Sequence, residues 1–249
     1  MKVLSLNCQK NYNSSLRDFF HGLFATSQYD VFLLQEATDE VIDIIPDDCN
    51  YQLVRHQNGG LWGLTAILFN NQHYTLVDSG YQSFDFVYKE DQRLGHISYG
   101  ATFARLQRGK EYILVCSMHL PAGLSSQIRR NCLQEAKKYI LQNSEFNDQI
   151  IFGGDCNFGF PGEYISTSCE MSPEFIHVTR NIEPTLDSYY TEHLNYITSH
   201  VAYVLRMFGL SIKLRTDHFF TDAQTGEHCA FAVLPDRVSD HSPIELSVT

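Results

Sequence analysis

An apolar run near the middle of the sequence ends on two glycines, a carboxylate and an amide, and reads QIIFGGDCN over residues 149–157. The Ile-Ile-Phe part is short and rich in β-branched and aromatic residues, which predicts a buried strand. Gly153 and Gly154 have no side chains, so the backbone can turn sharply and a ligand can approach Asp155 and Asn157 closely. This pattern is typical of a phosphate or metal site, although an ordinary turn after a strand has the same residues.

Other polar side chains also follow apolar runs that read as strands. They are Asn7, Glu36, His119, Asp217, Asp240 and His241. Each of them alone can be a turn former or a hydrogen-bonded residue at a strand end. Strands of one domain that end at the same rim bring their terminal side chains together, and loops at such rims carry function. The recurrence therefore predicts one site formed by several strand ends.

Composition and charge restrict the class of protein. The chain has 249 residues, of which 43% are hydrophobic, so it can bury a large core. It contains no linker, repeat or low-complexity run, which predicts a single domain over residues 1–249. The net charge of -11 opposes loose binding of nucleic acid through a broad basic face. A metal-assisted phosphoesterase remains compatible with it, because a bound divalent cation inverts the field of an acidic cluster.

The cysteines and the N-terminus bear on the cellular compartment. Seven cysteines form no C-x-x-C pair, and several fall inside apolar strands or helices, which predicts reduced thiols and no disulfide framework or zinc site. The first strand becomes polar too soon for a signal peptide, and no apolar run reaches membrane-spanning length. We therefore expect a cytoplasmic protein, with secretion by a signal-independent route left open.

Strand and helix patterns alternate along the chain. The predicted strands cover residues 3–8, 30–36, 64–69, 97–106, 112–120, 149–153 and 214–220, with a last strand after a turn at 238–244. A first helix is predicted to start after Asn13, and further helices are predicted over residues 38–45, 125–142 and 193–208. Residues 158–188 are predicted to be loop-rich. In the helix of residues 125–142, Arg129 falls inside the apolar arc and therefore needs a buried partner.

Short motifs in a fixed order resemble a known superfamily. They are Leu6-Asn7, Gln35-Glu36, Met118-His119-Leu120, Gly154-Asp155-Cys156-Asn157, Arg215-Thr216-Asp217-His218-Phe219-Phe220 and Ser239-Asp240-His241. Over residues 3–244 the chain resembles the endonuclease/exonuclease/phosphatase superfamily, which has a deoxyribonuclease I-like fold. Residues 184–187 and 214–217 are most similar to its tyrosyl-DNA phosphodiesterase 2 and sphingomyelinase branches. The resemblance implies a four-layer α/β sandwich, in which two mixed β-sheets pack face to face between helices.

The resemblance also implies a metal site and a catalytic group. Glu36 is expected to be the main ligand of Mg²⁺, or of Mn²⁺, with Asn7 and Asp240 beside it. Hard oxygen ligands suit Mg²⁺, which keeps several waters, so one or two carboxylates suffice.

The implied catalytic residues lie in the later motifs. Asp155 and Asn157 are expected to orient the attacking water and the phosphate. Asp217 is expected to pair with His241, which would fix the imidazole and raise its pKa. His119 is expected to donate to a phosphoryl oxygen.

Substrate contacts are assigned to Arg129 and Arg215, with Lys213 as a further basic candidate. The segment 62–67 lacks the glutamate that a deoxyribonuclease I-like branch implies, so that branch is disfavoured.

Three functions follow from this reading. The first is a Mg²⁺-dependent phosphoesterase for a phosphodiester or phosphomonoester, foremost a nuclease or a DNA-end-processing phosphodiesterase. The second is a phosphoinositide or sphingomyelin phosphoesterase, for which Tyr203, Met207 and Phe208 could form an apolar flap. The third is a catalytically silent binding module. The presence of Glu36, Asp155, Asn157, Asp240 and His241 argues against that third function.

Overall fold

The computed structural model describes residues 1–9, 14–46, 49–56, 64–84, 99–122, 126–158, 161–179, 184–187, 213–236 and 238–249. The strands are β1 (Lys2–Asn7), β2 (Val31–Gln35), β3 (Tyr51–Arg55), β4 (Thr65–Asn70), β5 (Thr75–Phe84), β6 (Tyr99–Arg108), β7 (Glu111–His119), β8 (Gln149–Asp155), β9 (Phe175–His177), β10 (Leu186–Asp187), β11 (Lys213–Leu214), β12 (Asp217–Asp222), β13 (Cys229–Val233) and β14 (Ile244–Val248). The helices in these ranges are α1 (Ser14–Thr26), α2 (Asp39–Ile42), α3 (Ser126–Asn143), α4 (Pro161–Met171) and α5 (Ala223–Gly226).

Two mixed sheets of six strands form the centre of the molecule. The first has the strand order β13-β14-β1-β2-β4-β3, and the second has the order β5-β6-β7-β8-β12-β9. Strands β1 and β2 are parallel in the first sheet, as are β7 and β8 in the second. Parallel neighbours end at the same edge of a sheet, so each pair brings the side chains at its two carboxyl ends together.

Three apolar layers hold the sheets and helices together. Between the sheets, side chains such as Val31 and Phe69 of the first sheet pack with Val115 and Phe219 of the second. The opposite face of the first sheet is covered by α1 and α2, and that of the second by α3 and α4. The order helix, sheet, sheet, helix is the four-layer α/β sandwich expected from the sequence, and that prediction is confirmed.

The helical stripes predicted from spacing are buried where expected. Helix α1 buries its apolar face against the first sheet, where the Phe24 and Phe32 rings lie 5.5 Å apart edge to face. Helix α3 buries Cys132, Leu133, Ala136 and Ile140 against the second sheet. The spacing of three and four residues predicted these faces because it repeats once per helical turn.

The largest difference from the predicted strands lies at residues 214–220. This segment was expected to be one strand with Asp217 in its middle, but β11 ends at Leu214 and β12 begins at Asp217. The backbone N–H groups of Thr216 and Asp217 donate to the Thr185 hydroxyl, at 3.1 and 3.2 Å. Because these donors are bound to a side chain, β12 does not extend back through Thr216 to β11.

Several other predictions need correction. Helix α4 occupies part of the stretch that was expected to be loop-rich, although Pro161 at its first position and Glu163 in its first turn are typical helix-start signals. Helix α2 covers residues 39–42 and not 38–45. Strand β5 lacks an apolar alternation that would have predicted it, since it is a mostly half-exposed edge strand. The predicted helix at 193–208, the turn at 58–60 and the first two residues of the segment 62–67 lie outside the described residues.

All seven cysteine thiols are free in the structure, as the sequence predicted. Burial raises the pKa of Cys116 and Cys156 well above the ordinary value, so both remain protonated thiols at neutral pH. No helix in the described part of the chain is both long enough and apolar enough to cross a membrane.

We expect acid to destabilise the protein through His218. Burial lowers the pKa of this side chain from 6.5 to about 4. Below pH 6.5 the unfolded chain therefore binds a proton that the folded chain excludes, so the free energy of unfolding falls as pH drops from 6.5 towards 4. The loss attributable to this group is on the order of 3 kcal/mol.

Chemical denaturation at neutral pH and at pH values within that window, for the natural protein and for His218→Gln, measures this contribution. The variant has no titrating group at this position, so its free energy of unfolding is expected to change less with pH. Equal pH dependence of the two proteins would contradict the assignment.

Candidate active site

The carboxylate of Asp155 is the centre of the candidate site. Parallel pairing of β7 with β8 sets His119 beside Asp155, and antiparallel pairing of β12 with β8 sets Asp217 opposite it. The Oδ2 atom of Asp155 accepts a hydrogen bond of 2.8 Å from Asn7 Nδ2. The same oxygen lies 3.5 Å from His119 Nε2 and 3.7 Å from His241 Nε2. One buried oxygen therefore faces an amide and two imidazoles from three other parts of the chain.

Asp217 and His241 form the pair that the resemblance implied. His241 Nδ1 donates to Asp217 Oδ2 at 2.8 Å, and the Thr216 hydroxyl donates to the same oxygen at 2.9 Å. The other imidazole nitrogen of His241 faces Asp155 and lies 3.9 Å from Asp240 Oδ1. The ring is thus oriented by one carboxylate and presents its second nitrogen to the site.

Burial and charge together set the protonation states. Burial would lower the pKa of His241, but the charges of Asp217 and Asp155 raise it well above the ordinary value. Burial would raise the pKa of Asp217, but the charge and hydrogen bond of His241 outweigh it and the pKa is lowered. Burial also raises the pKa of Asp155 to about 6, against the opposing charges of His241 and His119. Near neutral pH the site therefore holds an imidazolium next to a carboxylate that can accept a proton.

Backbone conformation at two site residues is unusual. Glu36, directly after β2, has a φ of 52°, and Asn157, after β8, has a φ of 50°. Asparagine tolerates this left-handed region, whereas glutamate adopts it rarely. Residues in such conformations concentrate at active sites, where the surrounding structure holds them. At Glu36 this conformation leaves Oε1 3.4 Å from Asn7 Nδ2 and 3.9 Å from His119 Nε2.

Comparison with known proteins identifies the fold. No family model matches the chain, and no curated protein matches it. Among solved structures, TDP2 of D. rerio, in complex with a single-strand DNA product, has a TM-score of 0.74 at 16% identity and covers 99% of this chain and 97% of its own. This chain has the fold of the endonuclease/exonuclease/phosphatase family.

Two further solved structures are similar to this chain over nearly their whole lengths. A mannosyl-6-phosphatase of Bacteroides thetaiotaomicron has a TM-score of 0.71 at 12% identity, and the match covers 100% of this chain and 99% of that one. An endonuclease/exonuclease/phosphatase family protein of Leptotrichia buccalis has a TM-score of 0.67 at 16% identity, with the same coverage. Identities this low establish the fold, and the function has to be argued from the site itself.

The three residues predicted to hold a metal in this fold lie around the same rim. Asn7 ends β1, and its backbone carbonyl accepts a 2.8 Å hydrogen bond from the Ser239 hydroxyl, which ties Asp240 to this strand end. Asp240 Oδ1 is buried without a hydrogen-bond partner in the described residues. A buried carboxylate oxygen without a donor is costly, and a cation would satisfy it. Together with Glu36, this oxygen fits the hard donor set that Mg²⁺ prefers.

The Asn7 side-chain amide is hydrogen-bonded within the protein at both its oxygen and its nitrogen. Its Oδ1 accepts from the backbone N–H of Gln9 at 2.9 Å, and its Nδ2 points to Asp155 and Glu36. In this arrangement Asn7 joins two carboxylates through its amide nitrogen. Its role as a metal ligand stays a prediction.

Asp155, Asp217 and His241 have ligand atoms within 4.8 Å of one another, which is also a possible spacing for a metal. Two facts favour a role in hydrogen bonding and proton transfer, rather than metal binding, for these three residues. His241 Nδ1 is already hydrogen-bonded to Asp217, and Mg²⁺ prefers oxygen ligands over imidazole nitrogen.

The basic residues proposed for substrate binding have structural partners. Arg129 is buried on α3 and forms an ion pair with Glu163 of α4, which provides the partner that its position required. Arg215 is half-buried between β11 and β12, and its carbonyl faces His218. The side chain of Lys213 lies outside the described part of the structure. Substrate binding by these residues stays a prediction.

Sequence reasoning assigned no role to two residues that organise the site. The Thr185 hydroxyl accepts from the N–H groups of Thr216 and Asp217, and thereby fixes the start of β12. Gln35, fully buried next to Glu36, donates to Ser117 of the other sheet at 3.0 Å. A polar residue inside an apolar strand was the available signal for Gln35, since such a group needs a buried partner. Thr185 carried no such signal.

Replacing Gly154 with alanine is expected to destabilise the fold and disturb the site. Gly154 has a φ of 137°, and a Cβ there would lie 2.1 Å from the Met118 carbonyl and 2.8 Å from Gln35 Nε2. Backbone and buried side chain must both move, which costs about 3 kcal/mol. Thermal or chemical denaturation measures the change. Gly162→Ala is the control, because a Cβ at Gly162 meets nothing within 4 Å, and equal stability losses for the two variants would contradict this reading.

Proposed function

We propose that the chain is a Mg²⁺-dependent phosphoesterase, and that its substrate is a nucleic-acid phosphodiester at or near a DNA end. The observation that carries this proposal is the convergence of Asn7, His119 and His241 on one buried oxygen of Asp155. Two imidazoles beside a carboxylate of raised pKa can serve attack on a phosphorus centre, where charge grows on oxygen. The similarity to TDP2 bound to single-strand DNA supports the nucleic-acid part of the proposal.

Each residue has a definite task in this reaction. Asp155 accepts a hydrogen bond from the attacking water and, with Asn157, orients it towards the phosphate. Asp217 keeps His241 protonated and turned so that Nε2 donates to a phosphoryl oxygen. His119 donates to a second phosphoryl oxygen. Glu36 and Asp240, with Asn7, would hold Mg²⁺, which when bound neutralises charge on the phosphate.

A panel of substrates tests the proposal. Purified protein is incubated with single-stranded DNA, duplex DNA, RNA, a 5′-phosphotyrosyl oligonucleotide, mannose 6-phosphate, and vesicles of phosphoinositide or sphingomyelin, each with Mg²⁺ and with EDTA. We expect Mg²⁺-dependent release of product from an oligonucleotide end. Faster hydrolysis of lipid vesicles would favour the lipid reading, whose proposed flap of Tyr203, Met207 and Phe208 lies outside the described residues.

The mannosyl-6-phosphatase of similar fold gives one specific reason to include a phosphomonoester in the panel. A sugar phosphate is small and does not have to be bound along an extended row of basic residues. A net charge of -11 would therefore not oppose binding of a sugar phosphate. Faster turnover of mannose 6-phosphate than of every oligonucleotide would replace the nucleic-acid proposal by this second candidate.

Turnover of an oligonucleotide is expected to weaken with salt. Binding by a protein with a net charge of -11 must come from a local basic patch, for which Arg129 and Arg215 are the described candidates. Neutralising about two phosphates of a single strand releases counterions and raises KM by about sevenfold between about 50 and about 200 mM salt.

Arg215→Gln is expected to reduce the slope of log KM against log salt, whereas Lys138→Gln, on the exposed face of α3, serves as the control of equal charge change. A KM that does not change with salt in the natural protein would contradict binding through phosphates.

A further inference from the structure

A chain of hydrogen bonds runs through the second sheet from α4 to the backbone just before Asp217. The Ser168 hydroxyl lies 2.9 Å from Nδ1 of His177, and Nε2 of His177 lies 2.9 Å from Nδ1 of His218. Nε2 of His218 lies 2.9 Å from the carbonyl oxygen of Arg215. Both imidazoles are buried, with 5% of His177 and 0% of His218 exposed.

The position of each proton in this chain follows from its last acceptor. A carbonyl oxygen can only accept, so Nε2 of His218 carries a proton. In a neutral ring Nδ1 of His218 is then an acceptor, and the nearer donor to it is Nε2 of His177 at 2.9 Å, with the Thr179 hydroxyl at 3.4 Å. Nδ1 of His177 is left to accept from the Ser168 hydroxyl. When both rings are neutral, this arrangement gives each imidazole one tautomer.

The surroundings of the two rings favour this neutral state. The Phe158 ring lies 5.1 Å from that of His218, and the Phe220 ring is stacked at 4.5 Å on that of His177. Aromatic neighbours do not solvate a charge, so an imidazolium at this depth would be costly. Burial lowers the pKa of His218 to about 4, in agreement with a neutral ring.

The far end of the chain meets the candidate active site. His218 holds the carbonyl of the residue three positions before it, which ties the start of β12 to the segment that precedes it. In the same segment, the Thr216 carbonyl accepts a 2.8 Å hydrogen bond from the N–H of Cys156, the residue after Asp155. Asp217 follows directly, at the start of β12, and accepts the hydrogen bond from His241 Nδ1. A change at the Arg215 carbonyl is therefore transmitted to both catalytic carboxylates.

We propose that His177 and His218 are positioning residues whose hydrogen-bond chain holds residues 215–218 in place and thereby aligns Asp217 with His241. The kinetic part of this inference rests on the proposed function, whereas the structural part concerns the geometry alone. His177 is the more informative of the two for a test, because it lies one contact further from Asp217 and acts through His218.

The test compares His177→Leu with His177→Gln. Leucine removes both hydrogen bonds, whereas glutamine can donate through its amide nitrogen and accept through its oxygen. The first readout is the NMR resonance of the His241 Nδ1 proton, assigned by its loss in His241→Gln. We expect the leucine variant to shift or broaden this resonance and to lower kcat about tenfold with KM within about twofold, since a small misplacement of a catalytic group acts on the chemical step. The glutamine variant is expected to keep the His241 resonance near its wild-type position and to retain most of the wild-type kcat.

Phe175→Leu is the matched control for lost stability. Phe175 lies in β9 beside His177 and packs on Phe152 at 4.9 Å, so its truncation loosens the same strand without breaking the polar chain. We expect a lower Tm with unchanged kcat and an unchanged His241 resonance. Ser168→Ala is the milder variant to use where His177→Leu does not fold, with an expected fall in kcat of about threefold.

The inference would be overturned if folded His177→Leu had the wild-type His241 resonance and the wild-type kcat. Where Ser168→Ala replaces His177→Leu, the same result in Ser168→Ala would overturn it. Failure of the proposed function is a separate outcome, in which the natural protein would hydrolyse no phosphoester. The His241 resonance would still show whether the hydrogen-bond chain positions the pair of Asp217 and His241.

Discussion

The His241→Ala variant is expected to lose at least about a hundredfold in kcat while its fold and KM change little. His241 presents Nε2 to the site next to Asp155, and Asp217 keeps the ring charged and oriented. Alanine removes the donor that would meet charge developing on the phosphate, an interaction made mainly in the transition state. Steady-state kinetics on the best substrate of the panel, with circular dichroism for the fold, measures the effect.

His73→Ala is the control for loss of an imidazole, because His73 is a half-exposed residue paired with Asp30. Its kcat is expected to equal that of the natural protein. In Asp155→Asn, kcat is expected to fall by a factor similar to that in His241→Ala. In the double variant, kcat should fall by less than the product of the two single factors, since the effects of residues that act as a unit are not additive. A kcat within about threefold of wild type in His241→Ala would show that this ring has no part in the chemical step.

The Glu36→Gln variant is expected to lose at least about a hundredfold in activity at a Mg²⁺ concentration that saturates the natural protein. Glutamine keeps the size and the planar end of the glutamate side chain but removes the charge that a divalent cation needs. Part of the activity should return at higher Mg²⁺, because weakened binding can be overcome by mass action. A Mg²⁺ titration of the rate, together with calorimetric titration of the metal, separates loss of binding from loss of chemistry.

Glu40→Gln serves as the matched control, because Glu40 is an exposed acid on α2 four residues further along the chain. Its Mg²⁺ requirement is expected to be unchanged. An unchanged Mg²⁺ requirement in Glu36→Gln as well would remove Glu36 from the metal site.

Strand ends were the most informative feature of the sequence. The runs before Asn7, Glu36, His119 and Asp155 are short and mostly apolar, which is typical of strands buried on both faces. Because β1 and β2 are parallel, and β7 and β8 are parallel, these ends meet at one edge. The order of the motifs along the chain therefore predicted both the fold and the neighbourhood of these four residues.

Contacts between distant segments were beyond such reasoning. Asp217 starts β12 because the Thr185 hydroxyl, more than thirty residues earlier in the chain, binds its N–H group. The direction of the Asn7 amide depends on the N–H group of Gln9 and on two carboxylates brought in by other strands. His177 attracted no attention in the sequence, since a single histidine in a short strand is unremarkable until His218 is placed beside it.

Arg129 shows the same limit in another way. Its place in the apolar arc of α3 correctly required a partner, but the partner Glu163 belongs to α4, a helix that was not predicted. A periodic pattern identifies the face of a helix that is buried, and it carries no information on the element that covers this face.

The most direct test of the proposed metal-dependent phosphoesterase is the initial rate of hydrolysis of a 5′-phosphotyrosyl oligonucleotide with Mg²⁺, with EDTA, and with Mg²⁺ restored after EDTA. The natural protein should turn over with Mg²⁺, stop with EDTA and recover when Mg²⁺ is returned, and Asp155→Asn should stay inactive in all three conditions. Full turnover in excess chelator, or turnover by Asp155→Asn at the natural rate, would contradict the proposal.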